Sequence, residues 1–190
     1  MEERTLESRR IFDGRLLGLR VDKVLLPNGR ETTREVVEHP DCVAIVAIDS
    51  QDNVILVHQY RSPVGMVLLE IPAGGIEPGE QPIESAIREL EEETGHTAGR
   101  MEKIGGFYSS PGYSTEFLHL FLATELEHGP RRPQEDEIIE VVPIPLRQIP
   151  SLITSGQVCD AKSIAGLLTV IFGRKEVNSH GQMSTNESGN

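Results

Sequence analysis

Cysteine is nearly absent: only Cys42 and Cys159 occur in 190 residues, far apart in the chain. That leaves no disulfide framework and no cysteine metal-ligand spacing, and it fits a reduced, cytoplasmic setting. Positive charge is also scarce, with 18 Lys and Arg against 30 Asp and Glu, a formal net charge of −12 and a pI near 4.9. A nucleic-acid-binding surface needs a basic patch, so that class of partner is excluded as an expectation. No apolar run approaches the length of a membrane span, and the opening Met1-Glu2-Glu3-Arg4 lacks a signal core. The six histidines show no paired spacing and read as structural or solvated. No internal repeat is found. The Asn186-Glu187-Ser188 triplet has no meaning without a secretory signal.

What is present is glutamate in one place. Gly74-Gly75-Ile76-Glu77-Pro78-Gly79-Glu80 is followed, seven residues later, by Arg88-Glu89-Leu90-Glu91-Glu92-Glu93-Thr94-Gly95. Pro82 suits a first helical turn and Gly95 a position just past the last. Between them Ile83, Ala86, Ile87, Leu90 and Thr94 predict an apolar stripe facing a core, with Arg88, Glu89, Glu92 and Glu93 opposite. Acids crowded at a helix C-terminus oppose the helix dipole and repel one another, so cations are expected there. Carboxylates on a rigid element suit hard cations such as Mg2+ or Mn2+, which also take substrate phosphate oxygens. The Gly-rich stretch before the helix lets backbone approach a ligand closely.

The spacing Gly-x5-Glu-x7-Arg-Glu-apolar-x-Glu-Glu-x-Gly resembles the Nudix box, the signature of the Nudix hydrolases. Gly74, Glu80, Arg88, Glu89, Leu90, Glu92, Glu93 and Gly95 match it, and His96 stands where an aliphatic residue is usual. Three further stretches resemble the ADP-ribose pyrophosphatase branch: Gln59-Tyr60-Arg61-Ser62-Pro63 leading to Glu70-Ile71-Pro72-Ala73-Gly74-Gly75, Ser109 to Glu116 with Pro111 sixteen residues after Gly95, and Glu135 to Val141. The resemblance covers roughly residues 10–173.

The resemblance implies an α/β (α+β) chain with the Nudix fold, an α/β/α sandwich around a mixed sheet. It implies metal-dependent cleavage of the diphosphate in a nucleoside diphosphate linked to another group, ADP-ribose first, giving AMP and ribose 5-phosphate. Glu89 and Glu93 are then metal ligands, Glu92 binds metal or orients a ligand, and the Ala73 carbonyl is a further ligand. Glu92, Glu93 and Glu137 carry catalysis; Glu137 completes the metal site or activates water, with Glu135 as the alternative if the loop register shifts by two. Arg61 contacts the diphosphate, Gly75 and Pro111 bind the substrate, and Glu116 borders its sugar pocket, with Tyr113 either there or packed in the core. Arg34 and Glu35 contact the nucleoside, often across a homodimer interface. Arg88 is a structural partner for a loop carboxylate. Nucleotide sugars or other diphosphates are the alternative substrates, and a non-catalytic ADP-ribose-binding module is the alternative of another class.

The expected organisation is N-terminal β-strands over 1–40 that form a dimerisation hairpin, a hydrolase domain over 41–175, and a disordered tail over 176–190. Strands are predicted for Leu16–Leu26 and Glu31–Glu38 around the turn Pro27-Asn28-Gly29, then Cys42–Ile48, Val54–Tyr60, Lys103–Phe107, Glu116–Ala123 and Ile138–Ile144. A short helix is expected over Ile149–Thr154, and a last one from the N-cap Asp160 to Gly173.

Overall fold

The computed structural model describes residues 1–129 and 138–183. The N-terminal strands β1 (Arg4–Asp13), β2 (Gly18–Leu25) and β3 (Glu31–Glu38) form an antiparallel three-stranded sheet. The predicted hairpin is β2–β3, and its turn closes with Gly29 at φ 81° donating its N–H to the Leu26 carbonyl at 2.9 Å. β1 lies within the expected N-terminal strand region, but no strand is predicted individually before Leu16. All ten of its residues are exposed, so no buried face imposes a period of two.

A second, seven-stranded sheet contains β4 (Cys42–Ile48), β5 (Asn53–Arg61), β6 (Met66–Glu70), β7 (Ala73–Gly75), β8 (His96–Tyr108), β9 (Phe117–His128) and β10 (Ile139–Pro145). Its order is β10-β5-β4-β9-β8, with β6 paired to β5 and β7 to β4. The β4–β9 pair is parallel and the others are antiparallel, which makes the sheet mixed as expected.

β4 sets the layers. Every residue in it is buried, and alternate side chains enter opposite cores. Cys42, Ala44, Val46 and Ile48 join Ile149, Val158, Leu167 and Val170 from the side of the last two helices, α2 (Ile149–Thr154) and α3 (Ala161–Met183). Val43, Ile45 and Ala47 join Ala86 and Leu90 of α1 (Pro82–Thr94) on the other face. Helices therefore cover both faces of the sheet.

Two helices depart from expectation. The buried arc of α1 runs through Ser85, Glu89, Glu93, Ala86, Leu90 and Thr94. Ile83 and Ile87, expected in the core, are each 44% exposed. The helix is thus turned by roughly 70° from its most apolar stripe, toward its acids. α3 starts as expected, with the Ser163 N–H donating to Asp160 Oδ2 at 3.1 Å. It then continues through Gly173 to Met183, into the stretch expected to be disordered. Gly173 does not adopt the left-handed conformation that ends a helix, whereas Gly95 does, at φ 71°.

Candidate metal centre

The box brings β7 and α1 together through short loops. Pro82 opens α1, and the Glu84 carboxylate accepts the Gln81 N–H at 2.9 Å in the first turn. At the other end the Gly95 N–H reaches the Glu91 carbonyl at 2.9 Å. This fixes the phase of Glu89, Glu92 and Glu93 against β7.

Glu89 and Glu93 are buried, and Glu92 is partly so. The Ala73 N–H donates to Glu93 Oε2 at 3.1 Å. Gly74 faces the Glu89 carboxylate so closely that a Cβ there would sit 2.1 Å from its carboxyl carbon. Only glycine leaves that carboxylate where it is. Arg88 ties the group together: Nη1 donates to Glu89 Oε1 at 2.7 Å and to Glu92 Oε2 at 3.3 Å, while Nε and Nη2 grip the two oxygens of Glu80 at 3.0 and 2.9 Å. The fork raises the pKa of Arg88, first through Glu80, and lowers that of Glu80. Nη2 also reaches the Gly75 carbonyl at 3.0 Å, which accepts Ser85 Oγ–H at 3.1 Å as well. Arg88 is therefore the partner of the loop carboxylate Glu80.

One guanidinium meets three carboxylates here, and Glu93 adds a fourth, so the cluster keeps a formal excess of negative charge. The donors are all oxygen, anionic and held on rigid elements. That set fits a hard divalent cation of the Mg2+ or Mn2+ class.

Arg61, at the end of β5, is half-buried and sits within the electrostatic reach of Glu93. Its Nε and Nη2 are engaged by the buried Glu70, with Nη2 to Oε2 at 2.6 Å. Lys162 of α3 joins Glu70 and also donates to Asp160 at 3.0 Å. Burial alone would push the Glu70 carboxyl up, but the Arg61 hydrogen bond and the Lys162 charge outweigh it and hold it below its ordinary value. Sequence reasoning assigned no role to Glu70 or Lys162. They are 92 residues apart, and no local pattern pairs them.

The other predicted positions lie elsewhere. Arg34 and Glu35 are exposed on β3 in the separate sheet, where Arg34 forks onto Glu3 at 2.7 and 3.0 Å. Pro111 is in an exposed turn, and Tyr113 is 59% exposed, so it is not core packing. Glu116 approaches His39, with Oε1 3.7 Å from Nδ1. Cys42 Sγ is 4.0 Å from that same Nδ1. Burial, then Glu116, pushes the Cys42 thiol up to about 12. This trio was missed because its members are spread over residues 39–116, and the β4–β9 pairing and the His39–Thr115 bonds bring them together. Glu137 and Glu135 lie outside the described residues.

An all-oxygen carboxylate platform beside a glycine-rich strand, on a mixed sheet between helices, agrees with the Nudix box resemblance of the sequence. The chain belongs to the Nudix family: the NUDIX domain matches residues 38–166, and the nucleoside diphosphate sugar hydrolase N-terminal domain matches residues 3–37. It is 44% identical to an ADP-ribose pyrophosphatase of Bacillus subtilis (strain 168) over 165 residues, 86% of this chain and 89% of that one. It is 39% identical to a methanol dehydrogenase activator of Bacillus methanolicus over 165 residues, with the same shares covered, 86% and 89%. The fold matches a crystal structure of an ADP compounds hydrolase with a TM-score of 0.83 at 24% identity, over 95% of this chain and 97% of that one.

Proposed function

We propose that this Nudix hydrolase cleaves the diphosphate bond of a nucleoside diphosphate linked to another group, with ADP-ribose as substrate and AMP and ribose 5-phosphate as products. The observation that carries the reading is the placement of Glu89 against Gly74 and of Glu93 against Ala73, with Glu92 tied to Glu89 through Arg88. The name of the Bacillus subtilis relative, matched over most of both chains, supports ADP-ribose.

Glu89, Glu92 and Glu93, with the Ala73 carbonyl, would hold Mg2+ or Mn2+. Such a cation supplies neutralisation of the diphosphate and a lowered pKa for water. The chain's own groups do the rest. Arg88 locks Glu89 and Glu92 in register, and the Ala73 N–H orients Glu93. Arg61, held by Glu70, offers guanidinium donors to phosphate oxygens in a planar fork. Glu137, with Glu135 as the alternative, removes the proton of the attacking water. Gly75 and Pro111 bind the substrate, and Glu116 borders its sugar.

Arg34 and Glu35 serve a partner's nucleoside pocket in a homodimer. The exposure of all of β1, with Ile11 at 47% and Phe12 at 54%, supports a protein partner on the N-terminal sheet. No helix among the described residues is long and apolar enough to cross a membrane. The two free cysteines fit a cytoplasmic location.

Nucleotide sugars are the second reading, favoured by the match of residues 3–37. A panel in Mg2+ decides: AMP release from ADP-ribose should exceed hydrolysis of GDP-mannose, UDP-glucose and NADH. Glu93→Gln and Glu92→Gln should retain the fold and lose more than the roughly 10–100-fold that removing an outer-sphere partner costs. Near-normal rates in both variants would sink the site assignment. Tight ADP-ribose binding without turnover would favour a binding module instead.

A further inference from the structure

We propose that His39, Cys42 and Glu116 form a second cation site, distinct from the carboxylate platform but sharing Glu116 with the proposed sugar side, that binds a thiophilic divalent cation of the Zn2+ class. The ligand atoms of the three side chains lie within 4.8 Å of one another. The His39 Nδ1 to Glu116 Oε1 distance is 3.7 Å, and the Cys42 Sγ to His39 Nδ1 distance is 4.0 Å. A tetrahedral zinc with ordinary bond lengths has ligand–ligand edges of about 3.4–3.6 Å. The first two edges therefore need shifts of a few tenths of an ångström, and the Cys42–Glu116 edge, within 4.8 Å, closes by up to about 1.2 Å.

The backbone that carries the trio is already assembled. His39 follows β3, Cys42 opens β4, and Glu116 precedes β9. The His39 N–H donates to Thr115 Oγ1 at 3.0 Å, and that hydroxyl donates to the His39 carbonyl at 3.1 Å. The Thr115 N–H reaches the Val37 carbonyl at 3.0 Å, and the Val37 N–H reaches Tyr113 at 2.7 Å. Cys42 is itself paired in register with Leu118 of β9 and Gly75 of β7. The segments are thus held before any ion arrives, which reduces the ordering cost of binding.

Donor chemistry sets the selectivity. One sulfur, one imidazole nitrogen and one carboxylate suit Zn2+, whereas Mg2+ prefers the all-oxygen set at Glu89, Glu92 and Glu93. Cys42 is 8% exposed, while the His39 and Glu116 side chains are 18% and 26% exposed. Access is therefore from the His39 and Glu116 side, where water can supply a fourth ligand. Asp41 and Glu89 add negative field around the sulfur, which opposes a bare thiolate and favours a cation. His39 Nδ1–H donates to the Pro40 carbonyl at 2.8 Å, so ligation through Nδ1 must break that bond and move the ring proton to Nε2. Binding converts the Cys42 thiol to a coordinated thiolate and releases that proton to solvent.

The test uses the full chain saturated with Mg2+, so that the carboxylate platform is occupied, and titrates Co2+ as a spectroscopic stand-in before competing it with Zn2+. The expected result is a sulfur-to-cobalt charge-transfer band in the near ultraviolet that saturates at one equivalent and is abolished by Zn2+. The band should vanish in Cys42→Ala and persist in Cys159→Ser, which removes the exposed thiol. In His39→Gln it should need roughly tenfold more Co2+ or beyond to reach half-saturation. That variant keeps the test decisive if Cys42→Ala does not fold. A wild-type protein without the band overturns the proposal. So does a band unchanged in Cys42→Ala or in His39→Gln.

Discussion

Gly74→Ala isolates the geometry of the metal platform. The new methyl carbon would lie 2.1 Å from both the carboxyl carbon and Oε1 of Glu89, and 2.4 Å from Oε2. Ordinary contact begins at 3.4 Å, so the carboxylate must retreat by about 1.3 Å. The backbone at Gly74 is not left-handed, so alanine suits the strand and the conflict falls on Glu89 alone. That carboxylate is buried and anchored to Arg88 at 2.7 Å, which leaves it few places to go. Metal–ligand distances tolerate about 0.2 Å, and an error of about 1 Å in a reacting constellation costs about 100-fold. The expected outcome is a fall in kcat/KM of about 100-fold, equivalent to about 2.7 kcal/mol, with weakened Mg2+ dependence. Stability in urea should change by no more than about 1 kcal/mol. Initial rates of AMP release from ADP-ribose across a Mg2+ titration measure the effect. Glu89→Asp draws the carboxylate back by about one C–C bond, about 1.5 Å, so the double variant should be more active than Gly74→Ala. A Gly74→Ala enzyme within threefold of wild type at every Mg2+ concentration would refute the placement of Glu89 against β7.

Three further outcomes are expected. Glu70→Gln leaves Arg61 and Lys162 without their buried counter-charge and should cost about 3 kcal/mol in urea unfolding at neutral pH. Because the folded Glu70 pKa is depressed, its contribution is complete above the ordinary value of 4.5 and is lost as pH falls through the folded value. Wild type should therefore lose stability below pH 4.5 more steeply than Glu70→Gln; parallel pH curves would contradict this. Ile87→Gln should change stability by no more than about 0.5 kcal/mol, whereas Leu90→Ala, at a fully buried position, should cost about 2–5 kcal/mol; equal costs would refute the rotated burial of α1. Phe12→Glu should convert a dimer to a monomer by light scattering, and a wild-type monomer at micromolar concentration would remove the interface from the N-terminal sheet.

Elements whose burial is uniform or whose ends carry a special residue were legible in the amino-acid order. β4 is apolar throughout because both its faces are covered, and its predicted bounds match. The start and stop of α1 are marked by Pro82 and by the left-handed Gly95. β1 has no buried face and so no alternation to read. β7 is three residues long, too short for any period, and its pairing with β4 is what makes it a strand. Gly173 carried a stop signal by residue type alone, but its backbone stays out of the left-handed region.

The rotation of α1 shows why the site was more legible than the packing around it. Periodicity placed Ile83 and Ile87 inward because they are the most apolar residues on the helix. The fold instead places Glu93 near the centre of the buried arc, flanked by Glu89 and Ala86. Burying an ionised carboxylate without compensation is costly. The Ala73 N–H offsets that cost for Glu93 and Arg88 offsets it for Glu89, and the proposed cation would add to both; all three lie within the local stretch 73–93 or would bind to it. A signature confined to one stretch can be read residue by residue. The Glu70–Lys162 bridge and the His39–Cys42–Glu116 trio depend on strand pairing and helix docking across the chain, so they become visible only once β4, β6, β9 and α3 are in place. Local motifs therefore reveal which carboxylates cluster, while the groups that accompany them have to be found in three dimensions.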